Sequence, residues 1–182
     1  MSGTMKIGVI YGSTRVGRFC DRVAAWTYLK IAAHNGFEAE TIDPLHLTND
    51  EELRQRLAAC DGFVVVTPEY NHGYPAPLKS LIDSIGAEWQ AKPVGFVSYG
   101  GASGGLRAVE QLRQVFAELH AVTIRDSVSF AGAWEQFDEA GALLRPERAE
   151  RSMAAMLDRL RWWANALRVA RNAEPYKTAA YG

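Results

Sequence analysis

Short apolar runs of strand length alternate along this chain with longer segments whose apolar residues recur at helical spacing. Five runs have strand length: Ile7–Tyr11, Phe37–Ile42, Phe63–Val66, Val94–Ser98 and Val122–Ile124. A segment with a helical apolar stripe follows each of them. Strands and helices in regular alternation predict a parallel sheet with right-handed crossovers and helices on both faces. We therefore expect a doubly wound, five-stranded α/β fold.

Apolar residues at three- and four-residue intervals mark the five predicted helices. The second helix is expected to open on a capping box formed by Thr48 and Glu51. The inward faces would be Phe19, Val23, Thr27 and Ile31; Leu53 and Leu57; Leu78, Leu81, Ile82 and Ile85; Val109, Leu112, Phe116 and Leu119; and Met153, Leu157, Leu160, Ala164 and Leu167. The stretch 130–145 is less regular than the segments around it.

Two of the predicted strands have a place in the sheet that their composition indicates. Phe63–Val66 is apolar at every position, so both of its faces should be covered, whereas Phe37–Ile42 alternates only weakly and suits an edge. A chain of 182 residues is long enough for one domain with a sizeable core, which we assign to residues 1–171. Residues 172–182 have no periodicity and are expected to form a mobile tail or an interface arm.

Composition and charge narrow the class of partner. The net charge of −1 gives no reason to expect nucleic acid or an anionic membrane as a partner. The start of the chain lacks the pattern of a signal peptide, and no apolar run is long enough to span a membrane. Cys20 and Cys60 lie far apart and without metal-ligand spacing, which is typical of buried thiols in a reducing compartment. We expect a cytoplasmic protein without a metal site.

The three most unusual loops all follow predicted strands. In doubly wound sheets the ligand lies beyond the carboxyl ends of the strands, at the point where strand order reverses. The loops after strands one, three and four have that position, and they are the loops rich in glycine, proline and polar residues. We refer to them as loop one, loop two and loop three.

Loop one has the composition of an anion site at the start of a helix. Its residues are Gly12, Ser13, Thr14, Arg15, Val16, Gly17 and Arg18. Open backbone N–H groups, hydroxyl donors and arginines all favour a phosphate. The two glycines match neither the dinucleotide fingerprint nor a Walker loop, so the pattern favours a mononucleotide phosphate. The alternative is an ordinary capped helix with two solvated arginines.

Loop two combines rigid residues with polar aromatics. Pro68 can end the strand, and Pro75 and Pro77 stiffen the return to the next helix. Gly73 would permit a backbone angle or a close approach that other residues do not allow. Tyr70 and His72 offer flat surfaces to a planar ring, and Asn71 can bond to a ring edge, as a flavin would require. The alternatives are that Glu69 only caps or pairs locally and that His72 is a loop residue rather than a general base.

Loop three contains four glycines between strand four and helix four. They are Gly100, Gly101, Gly104 and Gly105, with Ser98 and Tyr99 just before them. Glycines at this density weaken a fold through backbone entropy, so we expect them to bring backbone N–H groups close to a flat ligand. A flexible surface loop is the alternative.

Three segments resemble a known family. "GSTRVGR", "PEYNHGYPAPLKSLID" and "SYGGASGGLRAVEQLR" are similar to the signature segments of the NADPH-dependent FMN reductases, which include quinone, chromate and azo-dye reductases. The resemblance runs from strand one through helix four, and its middle segment is highly specific. It implies a flavodoxin-like fold with strand order 2-1-3-4-5. Gly73 and Ser80 depart from the family, which often has serine and asparagine at those positions.

The resemblance also implies which residues hold the cofactor. Ser13 and Arg15, with the backbone of Gly12–Arg18, would bind the FMN phosphate. Pro68, Glu69, Tyr70 and Asn71 would border the isoalloxazine and the ribityl chain, and the stretch Ser98, Tyr99, Gly100 and Gly101 would approach the other edge of the ring. No catalytic acid or base is required, because the flavin itself performs the chemistry.

The implied activity is that of an NAD(P)H oxidoreductase. NADPH or NADH would reduce FMN, and a quinone-like or azo acceptor would then be reduced at the same site, which predicts ping-pong kinetics. The alternatives are a reductase that releases reduced FMN to a monooxygenase, a flavodoxin-like electron carrier and a nucleotide-binding regulatory module. The small net charge and Arg15 argue against a carrier.

Oligomerisation is expected from the aromatic residues. A homodimer or homotetramer would let a neighbouring subunit cover the flavin with an aromatic residue such as Trp89 or Trp134. Trp162 and Trp163 are adjacent and cannot both face the core, so at least one should lie at an interface or stay exposed.

Overall fold

The computed structural model describes residues 3–176 and has five parallel strands alternating with five helices. The elements are β1 (Met5–Tyr11), α1 (Cys20–Ala32), β2 (Phe37–Ile42), α2 (Asp50–Ala58), β3 (Gly62–Pro68), α3 (Ala76–Asp83), β4 (Pro93–Gly100), α4 (Leu106–Glu118), β5 (Val122–Ala131) and α5 (Glu147–Ala173). Single 3₁₀ turns lie at Ala87–Trp89 and Ala133–Glu135. The strand order is β2-β1-β3-β4-β5, which confirms the predicted fold class. Within residues 3–176, no helix combines the length and the apolar character needed to cross a bilayer.

The sheet separates two apolar layers. One layer packs against α1 and α5, and the other packs against α2, α3 and α4. Side chains of a strand alternate between the two faces of its sheet, so Val64 and Val66 of β3 enter the first layer while Phe63 and Val65 enter the second. Every residue of β3 is buried, which confirms that this strand is covered on both faces.

The two edge strands explain where the sequence pattern is weak. β2 lies at one edge, as its weak alternation predicted. β5 forms the other edge; it begins at Val122, as the sequence predicted, and runs to Ala131. Only one face of β5 is buried beyond Ile124, so the polar stretch Arg125–Ser127 interrupts the apolar run that would have marked the end of the strand.

The start of α2 differs by one residue from the predicted capping box. Asn49, not Thr48, is the N-cap: its side-chain oxygen accepts from the backbone N–H of Glu52 at 2.9 Å. The carboxylate of Glu52 accepts in return from the backbone N–H of Thr48 at 3.0 Å. Leu53 and Leu57 are buried as predicted, so the shift affects the cap and not the packed face.

Helix α5 confirms the argument about adjacent tryptophans. Trp162 is 62% exposed, whereas Trp163 packs against the first apolar layer. Met153, Leu157, Leu160 and Ala164 are buried on the face that the spacing predicted. Of the tail predicted at 172–182, the first two residues complete α5, and 177–182 lie outside the described residues.

Candidate functional site

Loops one, two and three meet at one edge of the sheet. They do so because β1, β3 and β4 are adjacent and parallel, which puts their carboxyl ends side by side. The hydroxyls of Ser13 and Tyr70 are 2.9 Å apart, which joins loop one to loop two. The backbone N–H of Glu69 donates to the carbonyl of Tyr99 at 3.1 Å, which joins loop two to loop three. The three loops therefore form one continuous surface.

Loop one leaves several backbone donors open. No group in the described part of the chain accepts a hydrogen bond from the N–H of Thr14, Val16 or Gly17. Gly17 has a φ of 65°, the left-handed region that glycine adopts most readily. A Cβ at Gly12 would lie 2.6 Å from the carbonyl oxygen of Val66, so only glycine lets loop one leave β1 this close to β3. The loop offers the donors that an anion requires.

Arg15 is the exposed arginine of loop one. Its side chain is solvent-exposed, and its guanidinium carbon lies 3.5 Å from the centroid of the Tyr70 ring. This stacking is a cation–π contact, which leaves the guanidinium edges open for hydrogen bonds. Within residues 3–176, Arg15 forms no salt bridge, so its charge is available to an anion in loop one.

Arg18 is placed differently. It is buried and forms a bidentate salt bridge with Asp43, with one bond at 2.8 Å, while its Nε donates to Asp21 at 2.7 Å. Its guanidinium also donates to the backbone carbonyl of Ser13, which holds the backbone of loop one in place. Burial raises the pKa of Asp43, but the hydrogen bonds from Arg18 and from the backbone N–H of Leu45, together with the charge of Arg18, lower that pKa below its ordinary value. Of the two arginines of loop one, Arg15 is thus the exposed one and Arg18 the buried one.

Asp43 was not identified from the sequence. It follows β2 directly, so the rule that loops after strands gather at one edge would have placed it near the site. Its role is visible only because Arg18, 25 residues earlier, reaches it.

Loop two contains a tight turn at its tip. Tyr70 and Gly73 exchange backbone hydrogen bonds of 2.9 and 3.1 Å across the pair Asn71 and His72. Both central residues have positive φ, 52° and 70°, as a type I′ turn requires. The unusual backbone angles therefore fall on Asn71 and His72 and not on Gly73. Gly73 instead allows a close approach, because a Cβ there would lie 3.3 Å from the side-chain oxygen of Gln111.

Glu69 connects loop two to the start of α4. Its carboxylate accepts from the hydroxyl of Ser103 at 2.7 Å, from the backbone N–H of Arg107 at 3.2 Å and from the Arg107 guanidinium at 2.6 Å. Burial raises the pKa of Glu69, but these hydrogen bonds together lower it by more, so the pKa lies below its ordinary value. Pro68, the last residue of β3, is buried beside it. The Glu69 side chain therefore pairs locally, which was one of the alternatives that the sequence left open.

The side chains of Ser98 and Tyr99 point into the protein. The hydroxyl of Ser98 donates to the carbonyl of Gly104 at 2.8 Å, which shapes loop three. The ring of Tyr99 lies in the first apolar layer, 5.9 Å from the ring of Phe19. Only the backbone of these two residues can therefore face the surface that the three loops form.

The four glycines of loop three fall into two pairs. Gly104 and Gly105 have positive φ, and a Cβ there would lie 2.3 Å from Ser129 Oγ and 2.7 Å from Ser98 Cβ, so packing requires glycine. At Gly100 and Gly101 the nearest atoms to such a Cβ would be 3.5 and 3.8 Å away, which is ordinary contact. The protein itself does not need glycine at this second pair. A flat ligand that lies against the backbone would need it.

Trp134 lies beside the second pair of glycines. It is 60% exposed, and the far edge of its indole would be 3.8 Å from a Cβ at Gly101. The backbone N–H of Gly132 holds this turn in place through bonds to the carbonyls of Gly100 and Gly101, at 2.9 and 3.0 Å. Trp134 thus borders the site of its own chain. Trp89 is fully buried, so the prediction that it covers the ring of a neighbouring subunit is wrong.

Taken with the open N–H groups, these features suit a ligand that is flat at one end and anionic at the other. Arg15 and the loop-one backbone match a phosphate, and the Tyr70 ring and the backbone at Gly100 and Gly101 match a planar ring. FMN has both parts, so the residues present fit it.

The fold and its site edge define a flavodoxin-like protein. A flavodoxin from the domain Archaea has the same fold with a TM-score of 0.62 at 15% identity, covering 86% of this chain and 99% of that one. The flavoenzyme FerB from Paracoccus denitrificans superposes with a TM-score of 0.70 at 20% identity over 90% of this chain and 98% of that one.

The family is more specific than the fold. Residues 5–135 match the family described as NADPH-dependent FMN reductase, and the chain belongs to that family. It is 37% identical over 132 residues to a Schizosaccharomyces pombe protein named NAD(P)H-dependent FMN reductase, covering 62% of this chain and 66% of that protein. It is also 30% identical to a Solanum tuberosum NAD(P)H:quinone oxidoreductase over 84% of this chain and 90% of that protein.

Proposed function

We propose that this protein is an FMN-dependent NAD(P)H oxidoreductase that reduces a quinone-like or azo acceptor. The observation that carries the proposal is the meeting of two features at one sheet edge. Loop one offers open N–H groups and Arg15 to a phosphate, and loop three offers a backbone at Gly100 and Gly101 where packing does not require glycine. Membership of the FMN reductase family supports FMN as the ligand that has both parts.

Each site residue then has a positioning role. Arg15, the hydroxyl of Ser13 and the N–H groups of Thr14, Val16 and Gly17 hold the phosphate. Tyr70, Asn71 and Pro68 border the ring on one side, and Ser98–Gly101 approach it through the backbone on the other. Bound FMN would supply hydride acceptance and two-electron transfer. The backbone N–H groups of loop three would stabilise negative charge on the bound ring.

We further propose how the substrates follow one another. The pyridine nucleotide and the acceptor would use the surface beside the exposed Trp134 in turn, which gives ping-pong kinetics. The relative named as a quinone oxidoreductase supports the acceptor class.

We further place the enzyme in the cytosol as a homodimer or homotetramer. Cys20 and Cys60 are free and buried, as thiols are in a reducing compartment. The exposed indole of Trp162 on α5 supports a subunit contact, because large apolar groups at the surface mark interfaces.

The test is spectroscopic. The purified chain, loaded with FMN and passed through gel filtration, should stay yellow and should bleach under anaerobic conditions when NADH or NADPH is added. A colourless protein that takes up no FMN would overturn the proposal. Loss of the colour during filtration would favour release of reduced FMN to a partner enzyme, and a yellow protein that neither nucleotide bleaches would favour an electron carrier.

A further inference from the structure

A groove of about 640 Å³ lies beside loop one and shares only Thr14 with the residues assigned to FMN. It runs between the segment that joins β2 to α2 and the exposed side of α3. Its walls are apolar and include Leu47, Leu53, Pro77 and Leu81. Thr14 of loop one also lines it, so the groove opens next to the anion cradle. Its size is within the range of small-molecule sites, roughly 300–1,000 Å³.

The rim of the groove is polar and carries a negative charge. Asn49 and Asp50, at the start of α2, and Ser80, on α3, line the groove and are solvent-exposed. Among the described residues that line the groove there is neither lysine nor arginine. Apolar walls suit a flat heteroaromatic ring, and a carboxylate on the rim suits the two hydroxyls of a ribose.

Charge decides which nucleotide such a groove accepts. NADH and NADPH differ only at the 2′ position of the adenosine ribose, where NADPH carries a phosphate. A carboxylate accepts a hydrogen bond from a 2′-hydroxyl but repels a 2′-phosphate, which usually pairs with an arginine. Two neighbouring cations are paired, Lys79 with Asp83 at 2.5 Å and Arg54 with Glu51 at 2.8 Å, and Arg15, next to Thr14, is assigned to the FMN phosphate.

We propose that this groove binds the adenosine half of the reducing nucleotide, that Asp50 accepts from its ribose hydroxyls, and that the protein therefore prefers NADH to NADPH. The inference rests on the proposed function, since it concerns the nucleotide that would reduce the flavin. It contrasts with the family description, which is NADPH-dependent. A second copy of the chain is the other possible occupant, but a rim of small polar groups and one carboxylate suits a nucleotide better than an apolar interface.

The first test compares two charge reversals one residue apart. The FMN-loaded wild-type protein should have a kcat/KM for NADH at least about tenfold above that for NADPH. Asp50→Lys should move this ratio by about tenfold or more towards NADPH. Glu51→Lys is the matched control: it changes the same charge in the same first turn, but Glu51 does not line the groove, so its ratio should stay within about twofold of wild type.

The second test measures binding without turnover. Calorimetry on the FMN-loaded protein should detect 5′-AMP and should find 2′,5′-ADP weaker by about tenfold, with the order reversed in Asp50→Lys. Ser80→Trp, which would fill the groove from the exposed side of α3, should weaken NADH and 5′-AMP while FMN affinity stays unchanged.

Three results would overturn the inference while leaving the proposed function intact, each of them in protein that is yellow and bleached by NAD(P)H. They are a nucleotide ratio that Asp50→Lys does not move, equal binding of the two adenosine phosphates, and a Ser80→Trp protein with altered oligomeric mass and normal NADH kinetics. The last result would assign the groove to a subunit interface. A protein that takes up no FMN would instead remove the proposed function.

Discussion

The two edges of the sheet differ in how their polar groups are used. At the amino edge, charged side chains are saturated by the protein itself. Lys92 is buried and donates to the carbonyls of Leu57 and Ala58 at 2.7 and 3.2 Å, at the end of α2. Asp61 accepts from the backbone N–H of Lys6 at 3.1 Å and pairs with Arg168 at 3.4 Å. These bonds tie α2 and α5 to the sheet.

At the carboxyl edge, by contrast, several polar groups have no partner among residues 3–176. There the N–H groups of Thr14, Val16 and Gly17 have no acceptor in residues 3–176, Arg15 has no carboxylate partner in that range, and Gly100 and Gly101 are not required by packing. Even so, two salt bridges, Arg18–Asp43 and Glu69–Arg107, hold the loops in place. The difference indicates that the amino edge serves stability and that unsatisfied groups at the carboxyl edge are kept for a ligand.

The largest expected effect tests the amino edge through pH. Burial lowers the pKa of Lys92 from 10.5 to about 8. Between those values the unfolded chain binds more protons than the folded one, so this group makes the protein more stable as pH rises, by up to about 3 kcal/mol, and its full cost is present below pH 8.

Urea unfolding from pH 7.5 to 10.5 measures this effect. The free energy of unfolding of the wild type should rise across the window relative to that of Lys92→Met. Lys79→Met, which removes an exposed lysine paired with Asp83, should show no such rise relative to wild type. A constant difference between wild type and Lys92→Met would contradict the role given to burial.

The next effect tests the carboxyl edge. Arg15→Ala should weaken FMN binding by about 1.5–3 kcal/mol, because a charge-assisted bond to phosphate is lost. Its free energy of unfolding without FMN should match that of the wild type, since the side chain is exposed. Fluorescence titration with FMN measures the first quantity, and Arg22→Ala on α1 is the control. Unchanged flavin affinity in Arg15→Ala would remove this residue from the site.

A pair of glycines in one loop separates stability from binding. Gly104→Ala should lower the free energy of unfolding by about 2 kcal/mol, because a positive φ and a clash with Ser129 both oppose a Cβ. Gly101→Ala should leave stability unchanged and weaken FMN binding by about 1 kcal/mol, since its Cβ would enter the ligand space. Equal effects of the two substitutions on both measurements would show that loop three has a single, structural role.

The smallest effect concerns the acceptor. Trp134→Ala should raise the KM for a quinone acceptor by about two- to fivefold, the scale of one aromatic contact, with FMN affinity unchanged. Trp162→Ala removes an equally exposed indole from α5, so steady-state kinetics should find its acceptor KM equal to that of the wild type. If both variants behave alike, Trp134 does not border the acceptor site.

Local patterns predicted much of this molecule. The strand and helix alternation gave all ten elements, and the loops with unusual composition are the ones that meet at the sheet edge. The end of β5 was not predicted because an edge strand buries only one face, and the α2 cap was off by one residue because Thr48 and Asn49 are both good caps.

The sequence by itself determined the fold class and the edge where the three loops gather, because periodicity and glycine or proline content are local properties that burial and backbone sterics translate directly into structure. Only the tertiary structure decided which groups at that edge stay available. Asp43 occupies Arg18 and leaves Arg15 at the mouth, Arg107 occupies Glu69, and packing buries Trp89 while Trp134 stays beside Gly101. Each of these outcomes depends on partners from another element of the chain, and no local pattern records such a pairing.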